Sequence, residues 1–241
     1  VVVAQSDPTE TAGGGAAVLR AAGVEVIVGV LSEESAVVNE DWTTAVRRGR
    51  PVVTWKCATS LDGRVAGPDG GPTALTGPEA RAEVHRLRAR VGAIIVGTGT
   101  VLVDDPQLTV RLPEGSAAAP LQQPIRVVMG TRAIPDGARV LRDDAPTLLT
   151  GGQSPEAVLA DLYARGVRHA LLEGGPGLAA AFLRAGLIDR VEWYVAPVIL
   201  GDGPVALPPG ASDTPIGLDV SAVGVVGEDV RIVGRVRSQE A

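Results

Sequence analysis

Short apolar runs alternate with stretches of helical period along most of the chain, each junction marked by glycine, proline or a polar cluster. The runs at 52–60 (VVTWKCATS), 93–96 (AIIV), 125–129 (IRVVM), 147–150 (TLLT) and 169–173 (HALLE) predict strands. Helices are predicted from Pro78 to about Arg90, over 154–166 and around Ala179 to Arg184. Pro78 suits the first helical position after Thr76 or Gly77, and Arg86, Arg88 and Arg90 complement the negative helix end before Gly92. Strands and helices in alternation imply an α/β fold around a mainly parallel sheet. The run RVEWYVAPVIL at 190–200 predicts a long strand. Residues 220–236 predict two strands around the turn GED, a connection short enough to make the last pair an antiparallel hairpin.

Residues 1–50 carry the same alternation on a smaller scale: a strand at 1–3, a loop through GGG at 13–15, a short helix, a strand at 24–28, and a helix from about Glu33 to Arg48. Ser32 is the expected cap of that helix; Glu33 and Glu34 suit its positive end, Arg47 and Arg48 its negative end. This fragment is too small to build its own core. The stretch 114–124 (EGSAAAPLQQP) reads as a loop, and no internal repeat is visible.

Composition narrows the function classes. With 241 residues, 45% of them hydrophobic, the chain can bury a substantial core. A net charge of −6 without long like-charge blocks argues against nucleic acid as a partner, so an anionic ligand has to be held by local groups. The single cysteine, Cys57, excludes an internal disulfide and a cysteine-cluster zinc site within these residues, and it fits a reducing, cytoplasmic setting. No apolar run approaches the roughly 20 residues that span a bilayer. The chain begins inside a strand-like VVVAQSDP without Met, which leads us to expect a piece of a longer protein.

Two glycine-rich junctions follow apolar strands. In GTGTVLVDDPQLTVR (97–111), Gly97 and Gly99 let the backbone approach a ligand, and Thr98 and Thr100 are hydrogen-bond donors at a helix start. Leu102 occupies the place of the third glycine of a dinucleotide fingerprint, so a plain strand-to-helix turn stands beside the phosphate reading. The second junction, HALLEGGPGLAAAFLRAGLID (169–189), is of the same type, and two such junctions can embrace a dinucleotide.

These junctions, with KCATSLDGRVA (56–66), TGPEARAEVHRLRA (76–89) and APVILGDG (196–203), together resemble the reductase half of the bifunctional deaminase/reductase family of riboflavin biosynthesis. The resemblance runs over nearly all of 50–236 in one order. It implies a dihydrofolate-reductase-like α/β fold and NADPH-dependent reduction of 5-amino-6-(5-phosphoribosylamino)uracil to the ribitylamino product, with a homodimer as the expected assembly. It also implies two segments: 1–49 as the C-terminal remnant of a cytidine-deaminase-like domain, and 50–241 as the reductase domain. Zinc is expected only if a deaminase half lies upstream, since its His-x-Glu and Pro-Cys-x-x-Cys signature is not in this sequence; no metal site is expected here.

By the same resemblance Ala58, Thr100, Asp104, Thr131 and the loop Gly175, Pro176, Gly177, Leu178, Ala179, Ala180 and Ala181 contact NADPH, while Arg88, Leu108, Arg111 and Glu173 hold a small phosphorylated pyrimidine substrate. An arginine fork suits a ribose phosphate, and Glu173 at a strand end can accept hydrogen bonds from pyrimidine or ribose. Lys56 and Asp62 are the catalytic candidates, Lys56 toward a pyrimidine carbonyl and Asp62 as a proton relay. Several of these positions have purely structural alternatives: Asp62-Gly63 is a good turn pair, Arg88 complements a helix end, and Asp104-Asp105 before Pro106 shapes a loop. His85, His169 and Cys57 read as structural.

The chain departs from the family at 70–77 (GGPTALTG), where Pro72 and Ala74 stand in place of a serine near the substrate and a tryptophan near the cofactor; Thr73 is the neighbour able to replace the serine. Two other readings therefore stay open, a related pyrimidine or pteridine reductase and a catalytically silent NADPH-binding assembly domain.

Overall fold

The run 52–60 forms a strand because six of its eight paired residues are buried, including Val52, Val53 and Trp55, so both of its faces meet apolar layers. The computed structural model describes residues 1–9, 12–112, 116 and 122–237. Its strands are β1 (Val2–Val3), β2 (Ile27–Val28), β3 (Val52–Thr59), β4 (Ala93–Gly97), β5 (Ile125–Met129), β6 (Thr147–Gly151), β7 (His169–Leu172), β8 (Arg190–Val195), β9 (Leu218–Val226) and β10 (Asp229–Val236). Its α-helices are α1 (Gly15–Ala21), α2 (Ser32–Val38), α3 (Glu40–Arg48), α4 (Pro78–Arg88), α5 (Thr98–Asp104), α6 (Pro155–Ala164) and α7 (Pro176–Arg184), with a 3-10 turn at Arg139–Leu141.

The main sheet has eight strands in the order β6-β5-β4-β7-β3-β8-β10-β9. The pairs from β6 to β8 are parallel; β8 with β10 and β10 with β9 are antiparallel. This is the α/β arrangement with a C-terminal hairpin that the alternation predicts. Successive side chains divide between the two faces. Ala93 and Ile95 join Val53, Trp55, Leu159, Leu162 and Phe182 on one side; Ile94 and Val96 join Val101, Leu108, Val128 and Val140 on the other. Each such buried Val, Leu, Ile or Phe side chain contributes about 1.5–3 kcal/mol relative to exposure.

Several boundaries differ from expectation. The helix expected from Glu33 to Arg48 is broken at Asn39 (φ −98°, ψ 9°) into α2 and α3. Ser32 lies inside α2 and caps nothing, because Leu31, in the left-handed region at φ 56°, takes the capping position. The long strand expected at 190–200 ends at Val195, since Pro197 has no N–H to continue a ladder. The strand expected at 24–28 shrinks to Ile27–Val28, paired only with β1, and the helix expected to reach Arg90 stops at Arg88. In the terminal hairpin Asp229 belongs to β10, so the turn is Gly227-Glu228, with Gly227 at φ 63°. Residues 114, 115 and 117–121 of the 114–124 loop lie outside the described residues.

The N-terminal elements are tied to the sheet by ion pairs. Asp189, just before β8, accepts from Arg48, from Arg50 (2.7 Å) and from the Val53 amide (2.8 Å). Glu40 of α3 takes Arg190 at 2.7 Å, and Ala45 of the same helix is fully buried. A second anchor is unusual: Arg126 of β5 is completely buried, and its guanidinium meets the Gln107, Arg142 and Ala145 carbonyls, Thr147 Oγ1 (2.9 Å) and Asp144 Oδ1 (2.6 Å). A buried cation is tolerable only with its donors satisfied, and this one fastens the 104–112 segment to the 139–147 loop.

Candidate active site

The two glycine junctions predicted from sequence open side by side, because β4 and β7 are neighbours in the sheet and both helices, α5 and α7, start at their carboxyl ends. That is where open α/β sheets present ligand-binding loops. Together they wall a cleft of about 790 Å³. The capping positions Gly97 and Gly175 make no side-chain cap hydrogen bond, so the amides of the first turns are directed outward without a protein acceptor from the cap. Thr100 Oγ1 meets the Gly175 amide at 3.3 Å and fixes one junction against the other.

The glycines have local reasons. A Cβ on Gly99 would stand 2.5 Å from Arg132 Nη2, and one on Gly174 would stand 2.6 Å from Leu178 Cδ2. Gly130, at φ 122°, sits where a Cβ would lie 2.7 Å from Thr98 Oγ1, so at that position both conformation and space select glycine. A backbone-lined channel of this kind, flanked by Lys56 and Arg132 as the cations among its described lining residues, fits an extended phosphate-bearing group such as a dinucleotide.

Of the cofactor candidates, Ala58, Thr100, Asp104, Gly175, Pro176, Gly177, Leu178 and Ala181 line this cleft. Ala179 and Ala180 do not: they are 1% exposed and face inward from α7. Thr131 is outside the lining as well, on the turn after β5, with its methyl group 3.3 Å from where a Cβ of Gly152 would be. Burial raises the carboxyl of Asp104 above its ordinary value. Thr98, singled out in the sequence as a donor at this helix start, lines the cleft; sequence reasoning missed Arg132 and the 151–153 turn, which line it as well. The signal was the polar, glycine-bearing ends of β5 and β6, which carry the wall opposite α5.

At the inner end stand Lys56 of β3 and Glu173, one residue beyond β7, both lining the cleft. The Glu173 amide donates to the Ile95 carbonyl (2.9 Å), which holds the residue at the strand end. Its carboxylate is gripped by Arg88, Nε to Oε1 and Nη2 to Oε2, each at 2.7 Å. Burial pushes the Glu173 carboxyl up, but the Arg88 guanidinium, aided by Lys56, more than offsets it and holds the group below its usual range. Arg88 is correspondingly raised despite its own burial. The pair is therefore ionised. Lys56 Nζ also lies 5.7 Å from the Tyr194 ring centroid.

The other substrate candidates sit behind this pair rather than in the cleft. Arg88 reaches it only through Glu173, and its Nη1 donates to the Thr109 carbonyl (3.3 Å). Arg111 bonds Gln107 Oε1 (3.1 Å) and Thr109 Oγ1 (3.2 Å). Leu108, at φ 54° and 2% exposed, buries its side chain in the core; any substrate contact there runs through backbone. His85, read as structural, accepts the Arg111 amide at Nδ1 (3.1 Å), and burial with Arg88 and Arg111 nearby lowers its pKa.

Asp62 is not in the cleft. It accepts from Ser60 Oγ (2.6 Å), Leu200 N (3.1 Å) and Gly201 N (2.8 Å), and these bonds, led by Ser60, hold its carboxyl down to about 2. It thus joins the 61–64 turn to the 200–203 loop. In the departing segment, Thr73 lines the cleft and Pro72 and Ala74 do not; the Thr73 hydroxyl accepts the Gly67 amide (3.2 Å) and donates to the Gly71 carbonyl (3.1 Å). Cys57 is buried with its thiol pushed up to about 12 by burial, which makes it a core residue. Among the described residues no group of His, Cys, Asp and Glu could hold a metal ion, and no helix is long and apolar enough to cross a membrane.

Known proteins with this arrangement are closely similar. The riboflavin biosynthesis protein RibD of Mycobacterium tuberculosis is 53% identical over 206 residues, 85% of this chain and 59% of the relative; that of Corynebacterium ammoniagenes is 42% identical over 84% of this chain and 60% of the relative. The chain thus spans about three fifths of the length of these curated relatives. Among solved structures, Acinetobacter baumannii RibD superposes with a TM-score of 0.88 at 31% identity, covering 99% of this chain and 73% of that one. A Thermotoga maritima protein, described as a diaminohydroxyphosphoribosylaminopyrimidine deaminase/5-amino-6-(5-phosphoribosylamino)uracil reductase, superposes at 0.85 with 31% identity, covering 98% of this chain and 71% of that one. These neighbours share the dihydrofolate-reductase-like sheet. The model of the RibD C-terminal domain matches residues 51–232, from the first strand of the main sheet to its last, and the chain belongs to that family.

Proposed function

We propose that the chain is the reductase of riboflavin biosynthesis that converts 5-amino-6-(5-phosphoribosylamino)uracil to its ribitylamino product with NADPH. The observation that carries this reading is the meeting of a glycine-lined, dinucleotide-sized cleft with the ionised Glu173–Arg88 pair and Lys56 at its inner end. When bound, NADPH supplies the hydride. In the substrate the C1′–O4′ bond breaks as O4′ takes a proton, the nitrogen keeps its hydrogen as an iminium, and C1′ gains the hydride, so the sugar becomes the open ribityl chain.

This chain's residues do the positioning. The amides at the starts of α5 and α7, with Thr100 and Arg132, would hold the cofactor phosphates, and Ala58 would be a small residue of the same wall. Glu173, kept ionised by Arg88, accepts hydrogen bonds from the pyrimidine or ribose, and Lys56 donates to a pyrimidine carbonyl. Arg111, held behind that pair on Gln107 and Thr109, is the guanidinium that would turn to the ribose phosphate beyond the cleft's inner end. Thr73 stands at the mouth where Pro72 and Ala74 offer neither a hydroxyl nor an aromatic face.

We further infer that residues 1–49 are the tail of a deaminase-like half and 50–241 the reductase domain, supported by the greater length of the RibD relatives and by the ion pairs that join α3 to the sheet. A cytoplasmic homodimer is the proposed state. Its support is β9, an outer strand of the sheet whose Val220, Val223 and Val225 are exposed where an unpartnered edge ordinarily carries charge. The test of the reaction is NADPH oxidation in the presence of the deaminated aminouracil phosphate. Tight NADPH binding without turnover favours the silent assembly domain, and turnover restricted to unphosphorylated pyrimidines or pteridines favours the related reductase.

A further inference from the structure

Behind Glu173 two arginines stand without an ion pair among the described residues. Arg111 and Arg139 approach from different elements, the segment after α5 and the 3-10 turn, and end on the same neutral atom, Gln107 Oε1, at 3.1 and 3.4 Å. Neither guanidinium forms an ion pair with a carboxylate among the described residues. The nearby acids are already taken: Glu173 by Arg88, Asp144 by the buried Arg126 and by Gln107 Nε2, and Asp105 by the backbone amide of Arg139 itself (2.8 Å). His85 adds a ring nitrogen 3.4 Å from Arg111 Nη2. Burial, Arg88 and Arg139 together lower the Arg111 pKa, and the attraction of Asp144 only partly opposes them, so like charges outweigh the opposite one around this guanidinium.

We propose that Arg139 is a second guanidinium of the substrate-phosphate subsite, set beside Arg111 by the shared Gln107 amide, and that it determines the preference for phosphorylated over unphosphorylated substrate. The ligand chemistry is a phosphomonoester dianion, which accepts from two forks at once. Gln107 is the positioning residue. Its Nε2 is held by Asp144, which Arg126 fixes from the core, so its Oε1 is aimed at the two arginines before any ligand arrives.

This inference rests on the reductase reading, and the experiment separates the two. Binding of ribose 5-phosphate and of ribose is measured by calorimetry for the wild type, Arg139→Gln and Arg139→Lys, and the ratio of kcat/KM for the aminouracil ribosyl phosphate over its dephosphorylated form is measured for the same proteins. Arg139 is exposed, so the substitutions spare the fold. Losing one charge-assisted contact is expected to weaken ribose 5-phosphate binding and to lower the kcat/KM ratio by about tenfold in Arg139→Gln, with Arg139→Lys between it and the wild type and ribose binding unaffected. Sugar-phosphate binding that falls in Arg139→Gln while no protein turns over the aminouracil sinks the reductase reading and keeps the subsite. Equal ribose 5-phosphate binding by wild type and Arg139→Gln, or none by the wild type, overturns the subsite whatever the turnover.

Discussion

Arg88 and Glu173 face each other as a two-point pair, both contacts at 2.7 Å, with side chains only 12% and 11% exposed. A buried pair of this kind is costly to break and less costly to replace whole. Glu173→Gln alone is expected to lower stability by about 3 kcal/mol and to abolish most turnover, while Arg88→Met with Glu173→Leu recovers much of the stability and none of the activity. Urea unfolding beside the reductase assay reads both. Stability regained together with activity would show that the pair is only structural.

The same pair sets an acid limit. The Glu173 carboxyl is depressed below its ordinary value of 4.5, so the unfolded state binds the proton first as pH falls. Its stabilisation is complete above 4.5 and is lost as pH drops through the native value. The urea midpoint of the wild type should therefore fall below pH 4.5 more steeply than that of the double variant; parallel curves would contradict the pairing.

Asp62, its carboxyl held down to about 2, is ionised near neutrality and a weak proton acceptor there. The sign is that of a depressed carboxylate: its contribution to the 60–64 and 200–203 loops is complete above 3.8 and is lost as pH falls from there through about 2. The expected result for Asp62→Asn is a pH–rate profile of unchanged shape, with the loops more readily cut by protease. A vanished limb in that profile would restore Asp62 as the proton relay.

Gly99 and Gly130 separate cleft function from fold. At Gly99 an added Cβ meets the end of the flexible Arg132 side chain, so Gly99→Ala is expected to cost little stability and to weaken NADPH binding about tenfold by displacing that guanidinium. At Gly130 the φ of 122° and the Thr98 contact make Gly130→Ala destabilising by about 1–3 kcal/mol. Fluorescence titration with NADPH and thermal melts distinguish the two; unaltered NADPH affinity in Gly99→Ala would remove Arg132 from the cofactor wall.

The parallel sheet, the hairpin and both glycine junctions were legible because period and turn chemistry act locally, as in AIIV followed by GTGT or HALLE followed by GGPG. What was hidden depended on contacts distant in sequence. The break at Asn39 has no proline or glycine to announce it, and the position of Leu31 follows from a left-handed backbone that its residue type disfavours. Arg126 reads as one polar residue in an apolar strand, and only the fold shows that the 139–147 loop closes over it. Likewise Arg132 belongs to the cleft because β5 lies beside β4, and Asp62 leaves it because the 200–203 loop captures its carboxylate.

The most direct measurement is the rate of NADPH oxidation with the deaminated 5-amino-6-(5-phosphoribosylamino)uracil, for the wild type and for Lys56→Met, which keeps the stem of the side chain and removes its charge. The expected result is turnover by the wild type and a fall in kcat/KM of about ten- to a hundredfold in the variant, with NADPH still bound. NADPH bound by both proteins and oxidised by neither would contradict the assignment of the cleft to this reduction.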